Sequence, residues 1–494
     1  MLRGVAVSSV PRLDDGVGDA ATLGAMTSEL TAVRSLRANG LPVTKEKQKR
    51  HWAIALLRSR WLWIILGATV LYAACLGWMY VTSVTPTPAE GGGEVPGLNL
   101  SAIRRSATLA LPTLAVWVVA FVALDRFRPM RLGFWYLALG WGAAVSTALS
   151  MVINTWASRQ MAIVGADPAT GARAAVFVAP FVEEATKATV VFFIAIAVRY
   201  RIVSTLQAVT LAGLSAAGFA FTENILYYSR VIVYSSVTIG TGNPEQALNS
   251  IVFLRGVKTA FGHPLFTSLM ALGFIVGLRA HSKIVRIIAP LVGYLAAALG
   301  HMLFNFFASI GADDTMMAIM GWGIALTLVI YLIRRILAEG RRQRDRLGDY
   351  VDMGWLPPSV VTLFTRQRTR WACFFISVTH GWRAMLATVR IQRTMSELAY
   401  LRDAELHGTV DEAGALRART LLDEARALAP VAITDPAVQK IQLPQFPAWL
   451  RLRRRRTAVG PWAPPSPVPA SFLPGTVSSP GYSPVDPRWG PPKG

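Results

Sequence analysis

Apolar residues fall into eight long runs, near 61–82, 107–124, 133–153, 174–198, 203–226, 259–279, 284–307 and 315–337. Each is close to the ~20 residues a helix needs to cross about 30 Å of hydrocarbon. No soluble fold hides eight such runs, so the pattern predicts an all-α, polytopic membrane bundle of about eight transmembrane helices. Beyond residue 340 the pattern changes. Residues 359–430 carry apolar positions at helical spacing among many arginines, which predicts two or three amphipathic helices. Within them, the run Trp371 to Leu386 has two readings: a segment on the membrane surface, or part of a small cytoplasmic helical unit. The organisation expected is a disordered extension over 1–45, a multi-span membrane domain over 46–340, a cytoplasmic helical region over 341–430, and a basic, Pro-rich disordered tail over 431–494. The extension has no apolar core resembling a signal peptide, and Met26 is an alternative start.

Composition agrees with lipid as the main solvent: 53% of residues are apolar and 16% charged, against about 25% charged in a soluble globular chain. The net charge of +22 would suit nucleic acid, but in a membrane protein it is read as basic loops facing anionic lipid. Alternate loops test this. One set holds Arg126, Arg128, Arg131, Arg199, Arg201, Arg279, Lys283, Arg286 and a series beginning at Arg334. The other holds the Pro/Gly-rich stretch 84–97, residues 229–257, and Asp313–Asp314, with Arg104, Arg105, Arg159 and Arg173 as exceptions. The bias predicts that both termini are cytoplasmic. Cys75 and Cys373 are too few for a disulfide scaffold or a cysteine metal site. The block Arg451 to Arg456 is a polybasic patch able to touch anionic lipid.

The chemistry sits where lipid should exclude it. A charged residue at a helix centre costs about 2.5–3.5 kcal/mol on insertion scales. Yet the fourth run contains Glu183, Glu184 and Lys187, the fifth ends in Glu223-Asn224, the sixth begins Gly262-His263-Pro264, and the seventh contains His301 and Asn305. Glu183 lies roughly 13 Å below the outer boundary at ~1.5 Å per residue, and His301 roughly 9 Å. His263 and Glu223 lie near the outer ends of their spans. Alone, each motif reads as an ion pair, an interhelical hydrogen bond or a helix end. Agreement in depth across four helices of alternating direction is what one shared polar site predicts. Glu183 and Lys187 are four apart, as are His301 and Asn305, so each pair shares a helix face. Adjacent carboxylates in low dielectric need a proton, cation or metal nearby. Either a proton or a metal would yield the general base that peptide hydrolysis requires. Two imidazoles and two carboxylates also suit zinc.

The ordered series Glu183-Glu184-x-x-Lys187, Phe219-x-x-x-Glu223-Asn224, His263 and His301-x-x-x-Asn305 resembles the PrsW family of bacterial intramembrane proteases. That family is related to the type II CAAX prenyl-proteases and the Abi proteins. The resemblance covers roughly residues 50–340, which makes 46–340 the protease domain. It implies cleavage of a membrane protein, such as a single-span anti-sigma factor, near the outer face of the bacterial plasma membrane. By motif, Glu183 and Glu184 are catalytic, with Glu183 activating water, and Lys187, Glu223 and Asn224 belong to the same catalytic set. His263 and His301, with Glu223 as a further candidate, are metal ligands or, alternatively, groups that polarise water and the scissile carbonyl. Asn305 is an oxyanion donor. The CAAX relatives have a histidine where Glu223 stands. The cofactor implied is a divalent metal, zinc first, with a metal-independent glutamate mechanism as the alternative. The partners are substrate and lipid, with no nucleic acid. Two other function classes remain open at this stage: a proton- or cation-coupled transporter, which predicts inverted repeats and broken helices, and a non-catalytic immunity or adaptor protein.

Overall fold

The structure, a computed structural model, describes Ile54 and residues 57–441 except 89–92, 128, 162–169, 199–201, 203, 238–242, 281 and 407–411. The expected extension over 1–45, the tail beyond Ile441 and the block Arg451 to Arg456 lie outside the described residues. The chain divides into two units, Met1–Glu339 and Gly340–Gly494.

The apolar runs of the first unit are helices. They are α1 (Arg60–Val84), α2 (Leu100–Leu124), α3 (Leu132–Gly140), α4 (Thr147–Gln160), α5 (Thr170–Phe177), α6 (Ala179–Val198), α7 (Thr205–Val237), α8 (Pro244–Phe253), α9 (Gly262–Arg279), α10 (Lys283–Ser309) and α11 (Asp314–Asp352). A two-residue hairpin, β1 (Thr87–Pro88) against β2 (Glu94–Val95), closes the α1–α2 connection. Among the described residues, seven helical segments are long and apolar enough to cross a membrane. The eighth run expected, 174–198, is α6 with the end of α5, and α6 carries three charged residues. The run is interrupted after Phe177, and Pro180, which has no N–H to donate, sits in the first turn of α6.

Two π-helical stretches join helices into single long segments. Trp141–Ser146 links α3 to α4, and Leu254–Lys258 follows α8 ahead of α9. The sixth span is therefore longer than the expected 259–279 and begins at Pro244.

α7 is the central helix. Leu206, Val209, Leu211, Leu214 and Phe219 are buried on it, whereas α1, α10 and α11 expose Val70, Ile287 and Ile319. A helix buried on all sides belongs to the bundle interior, and one with large exposed apolar side chains faces lipid. Close approach to α7 requires a small residue opposite. A Cβ on Gly142 would lie 1.8 Å from the carbonyl oxygen of Ser215. Gly142→Ala is therefore expected to destabilise the unit by about 1–3 kcal/mol or more, as overpacking does, read as a lowered unfolding midpoint in detergent.

In the turn after α2, buried Asp125 accepts the Met130 N–H at 2.7 Å. Burial outweighs this bond and pushes the carboxyl up to about 7.

The second unit holds α12 (Ser359–Thr365), α13 (Gln367–Thr379), α14 (Trp382–Leu406) and α15 (Glu412–Leu428), four helices against the two or three expected. Gly381, at φ +96°, provides the left-handed residue that breaks α13 from α14. Leu347, Ile391, Met395, Leu398 and Leu421 form its buried core, flanked by the ion pairs Arg346–Asp403 (3.0 Å) and Arg417–Glu397 (2.8 Å).

Candidate active site in the membrane unit

α6 enters the bundle with its charged residues in its first turns. Lys187 and Glu184 are fully buried there, and Glu183 is nearly so. Buried charges persist only when paired and hydrogen-bonded, and the partners are present. Lys187 Nζ donates to Glu184 Oε1 at 2.9 Å and to Glu183 Oε2 at 3.5 Å. It also lies 2.8 Å from His263 Nδ1 and 4.0 Å from the centroid of Phe219. One ammonium thus ties both carboxylates of α6 to α7 and α9.

Glu184 is saturated: Oε1 also receives His301 Nδ1 at 3.2 Å, and Oε2 receives the Thr267 hydroxyl at 2.8 Å. Glu183 differs. It faces a cavity of about 490 Å³ whose wall includes Glu223, Asn224, Arg255, His263, His301 and Asn305, and Asn154 Nδ2 donates to its Oε1 at 3.3 Å. Asn154 Oδ1 is buried without a hydrogen-bond partner.

Across the cavity, Glu223 Oε2 accepts from His263 Nε2 at 2.8 Å and from Arg255 Nη2. Arg255 Nε donates to Asn224 Oδ1 at 2.8 Å, and the guanidinium lies 4.0 Å over the Tyr227 ring. With Lys187 donating to Nδ1, His263 carries its proton on Nε2 and donates it to Glu223. His301 stacks on Phe266 at 5.1 Å and meets His263 edge-on at 5.2 Å. Asn305 Nδ2 donates to the Ala175 carbonyl at 2.8 Å, leaving its second N–H uncommitted by that bond.

All the residues singled out from the sequence therefore meet in one place, at hydrogen-bond distance or on one cavity wall. They divide into two groups. Glu183, Glu223, Asn224, His263, His301 and Asn305 line the cavity, while Glu184 and Lys187 are not part of its lining. Lys187 lies closer to Glu184 than to Glu183, the partner that four-residue spacing favours.

The metal-binding chemistry of the site can be tested on its donors. One ligand atom each from Glu183, His263 and His301 lies within 4.8 Å of the others. Tetrahedral zinc with ligands at ~2.1 Å sets donors roughly 3.4 Å apart, a difference that side-chain rotation covers. Two imidazoles and a carboxylate are a catalytic zinc set, so the donor types fit. Both ring nitrogens of His263 are engaged by Lys187 and Glu223, and a metal there would take the place of one of these two hydrogen bonds. Glu223 is engaged by Arg255 and His263 rather than being one of these three.

Residues 130–335 match the family described as PrsW family intramembrane metalloprotease. This stretch belongs to the PrsW family. The match contains every residue of the site, and it makes the membrane unit an intramembrane protease that acts on membrane proteins within a lipid bilayer. No curated protein and no solved structure matches the chain.

Sequence reasoning missed three contributors to this PrsW site. Arg255 falls in the connecting loop when apolar spacing alone sets the sixth span at 259–279. An arginine in the apolar stretch Ile251-Val-Phe-Leu-Arg255 was the available signal. Thr267 lies one turn beyond His263 on the same face, and Asn154 is a lone amide one residue past the end of the third run. The transporter reading predicts inverted repeats, and the family match replaces it.

Proposed function

We propose that this PrsW protease hydrolyses a peptide bond of a single-span membrane protein, with an anti-sigma factor as the type of substrate, in the outer half of a bacterial plasma membrane. The observation that carries the proposal is the cavity-facing carboxylate of Glu183 beside His263 and His301.

A divalent ion, zinc by donor type, would be held by Glu183, His263 and His301 and would supply Lewis-acid polarisation of the scissile carbonyl. The chain's own residues account for the rest. One oxygen of Glu183 would suffice as a ligand, leaving the other to take the proton from the attacking water and return it to the departing amine nitrogen as the C–N bond breaks. Lys187 and Glu184 hold Glu183 and His301 in place from behind. Arg255 and Glu223 fix the orientation of His263. Asn305 offers its second N–H to the developing oxyanion, and Asn154 Oδ1 accepts from a substrate amide.

Depth supports the outer half. Glu183 and His263 lie near the amino-terminal ends of α6 and α9, and Glu223 and His301 lie in the later parts of α7 and α10. These ends share one membrane face, opposite the loops that carry Arg126, Arg131, Arg279 and Lys283. The positive-inside bias makes that face external and both termini cytoplasmic.

Reconstituted protein should cleave a single-span substrate at a bond in the outer half of its span, located by mass spectrometry of the products. His301→Ala should abolish cleavage while its abundance in the membrane is unchanged. Full activity in that variant, or a cleavage site outside the membrane, would overturn the assignment.

A further inference from the structure

The second unit carries a feature that proteolysis does not use. α13 is two-faced: Arg370, Cys373, Ile376 and Ser377 are buried on one side, and Trp371, Phe375 and Val378 are exposed on the other. These three, with Arg368, fall within about 80° of one another at ~100° per residue. On α14, next in the chain, Trp382, which is 69% exposed, and Leu386 are exposed as well. The rings of Trp371 and Phe375 stack at 5.9 Å with Phe374 beside them, so the aromatic surface is preformed. Contiguous exposed apolar surface of this kind marks an interaction site.

Charge identifies what covers it. Between Asp352 and Glu397 the chain contains no acidic residue and six arginines. Arg366, Arg368, Arg383 and Arg393 are exposed, and among the described residues none of the four has an acidic partner. Tryptophan bordered by arginine is the composition of a surface seated at the headgroup level of an anionic membrane. A second copy fits poorly, because a two-fold contact would set this face against itself and oppose its arginines. The unit also follows α11 in the same chain and stays tethered near a bilayer.

We propose that the face formed by Trp371, Phe375, Val378, Trp382 and Leu386 docks into an anionic lipid surface, with the surrounding arginines on phosphate headgroups. The docking is independent of the protease chemistry.

The test uses the full chain in nanodiscs, with Cys75→Ser and a fluorophore on Val378→Cys. Cys373 is buried and stays in place. The bilayer is phosphatidylcholine alone or with added phosphatidylglycerol. The expected result is severalfold greater quenching by nitroxide carried on the lipid chains when phosphatidylglycerol is present, with protection from aqueous iodide. W371S/W382S should reduce the lipid quenching to that of a label at exposed Asp423. R366Q/R368Q/R383Q, which leaves the buried core untouched, should remove the dependence on anionic lipid. A label open to iodide in both bilayers would overturn the proposal. So would a label shielded from both quenchers, which would mean that a protein or a second copy covers the face.

Discussion

Glu183→Gln should lower the rate of peptide-bond hydrolysis by at least 10²–10⁴-fold, the usual contribution of a general base, and leave the protein folded. The reasoning rests on how little of the fold depends on that charge. Glu183 faces the cavity, and its two contacts are the longest in the cluster: 3.3 Å from Asn154 and 3.5 Å to Lys187. A glutamine retains an acceptor oxygen for Asn154, and the Lys187 ammonium still has Glu184 at 2.9 Å. What the substitution removes is the basicity of the only α6 carboxylate on the cavity wall, together with one of the three donors able to hold a metal ion. Single-turnover cleavage of a membrane substrate, paired with an unfolding midpoint in detergent, separates the two effects. An unchanged rate would show that the proton is removed by another group. Glu223 would then be the next candidate, although its carboxylate is held by Arg255 and His263.

The parts of this site that were legible from sequence are those in which cost reveals function. Glutamate, lysine and histidine are expensive in a bilayer, so their presence in four apolar runs at one depth announced a shared polar chamber before any distance was known. Helical periodicity and charge bias likewise made the bundle readable. What periodicity cannot supply is the rotamer. Four-residue spacing placed Lys187 on the face of Glu183, but the side chain reaches Glu184 more closely, because Glu184 is also met by His301 from α10 and Thr267 from α9. Those partners lie 117 and 83 residues away in sequence, beyond any local rule. Arg255 was hidden for a different reason. A helix that passes through a π stretch keeps its direction while shifting its register, so the polar residues Asn249 and Ser250, and Arg255 itself, looked like a loop. In the second unit, the division of 359–430 into short helices depended on single residues such as Gly381, which apolar spacing does not register.

Lys187→Met is expected to affect stability more than any other single change in the membrane unit. It removes the cation from a cluster in which Glu184 is completely inaccessible to solvent. Deleting one partner of a buried ion pair leaves the other charge without compensation and costs about 3–5 kcal/mol. Here the loss is spread over more than one contact, because the same ammonium also meets Glu183, His263 and the Phe219 ring. His263 would lose the donor on Nδ1 that fixes its tautomer, so any folded remainder should also be inactive. The double variant K187M/E184Q distinguishes a charge effect from a packing effect. Glutamine at 184 is neutral and can still receive the Thr267 hydroxyl. If the penalty is an uncompensated carboxylate, the double variant should be more stable than Lys187→Met alone, giving a coupling energy of the sign expected for interacting neighbours. Equal midpoints for the single and double variants would instead assign the loss to the cavity left by the lysine stem. In that case the ammonium would matter for aligning Glu183 and His263 rather than for holding the bundle together.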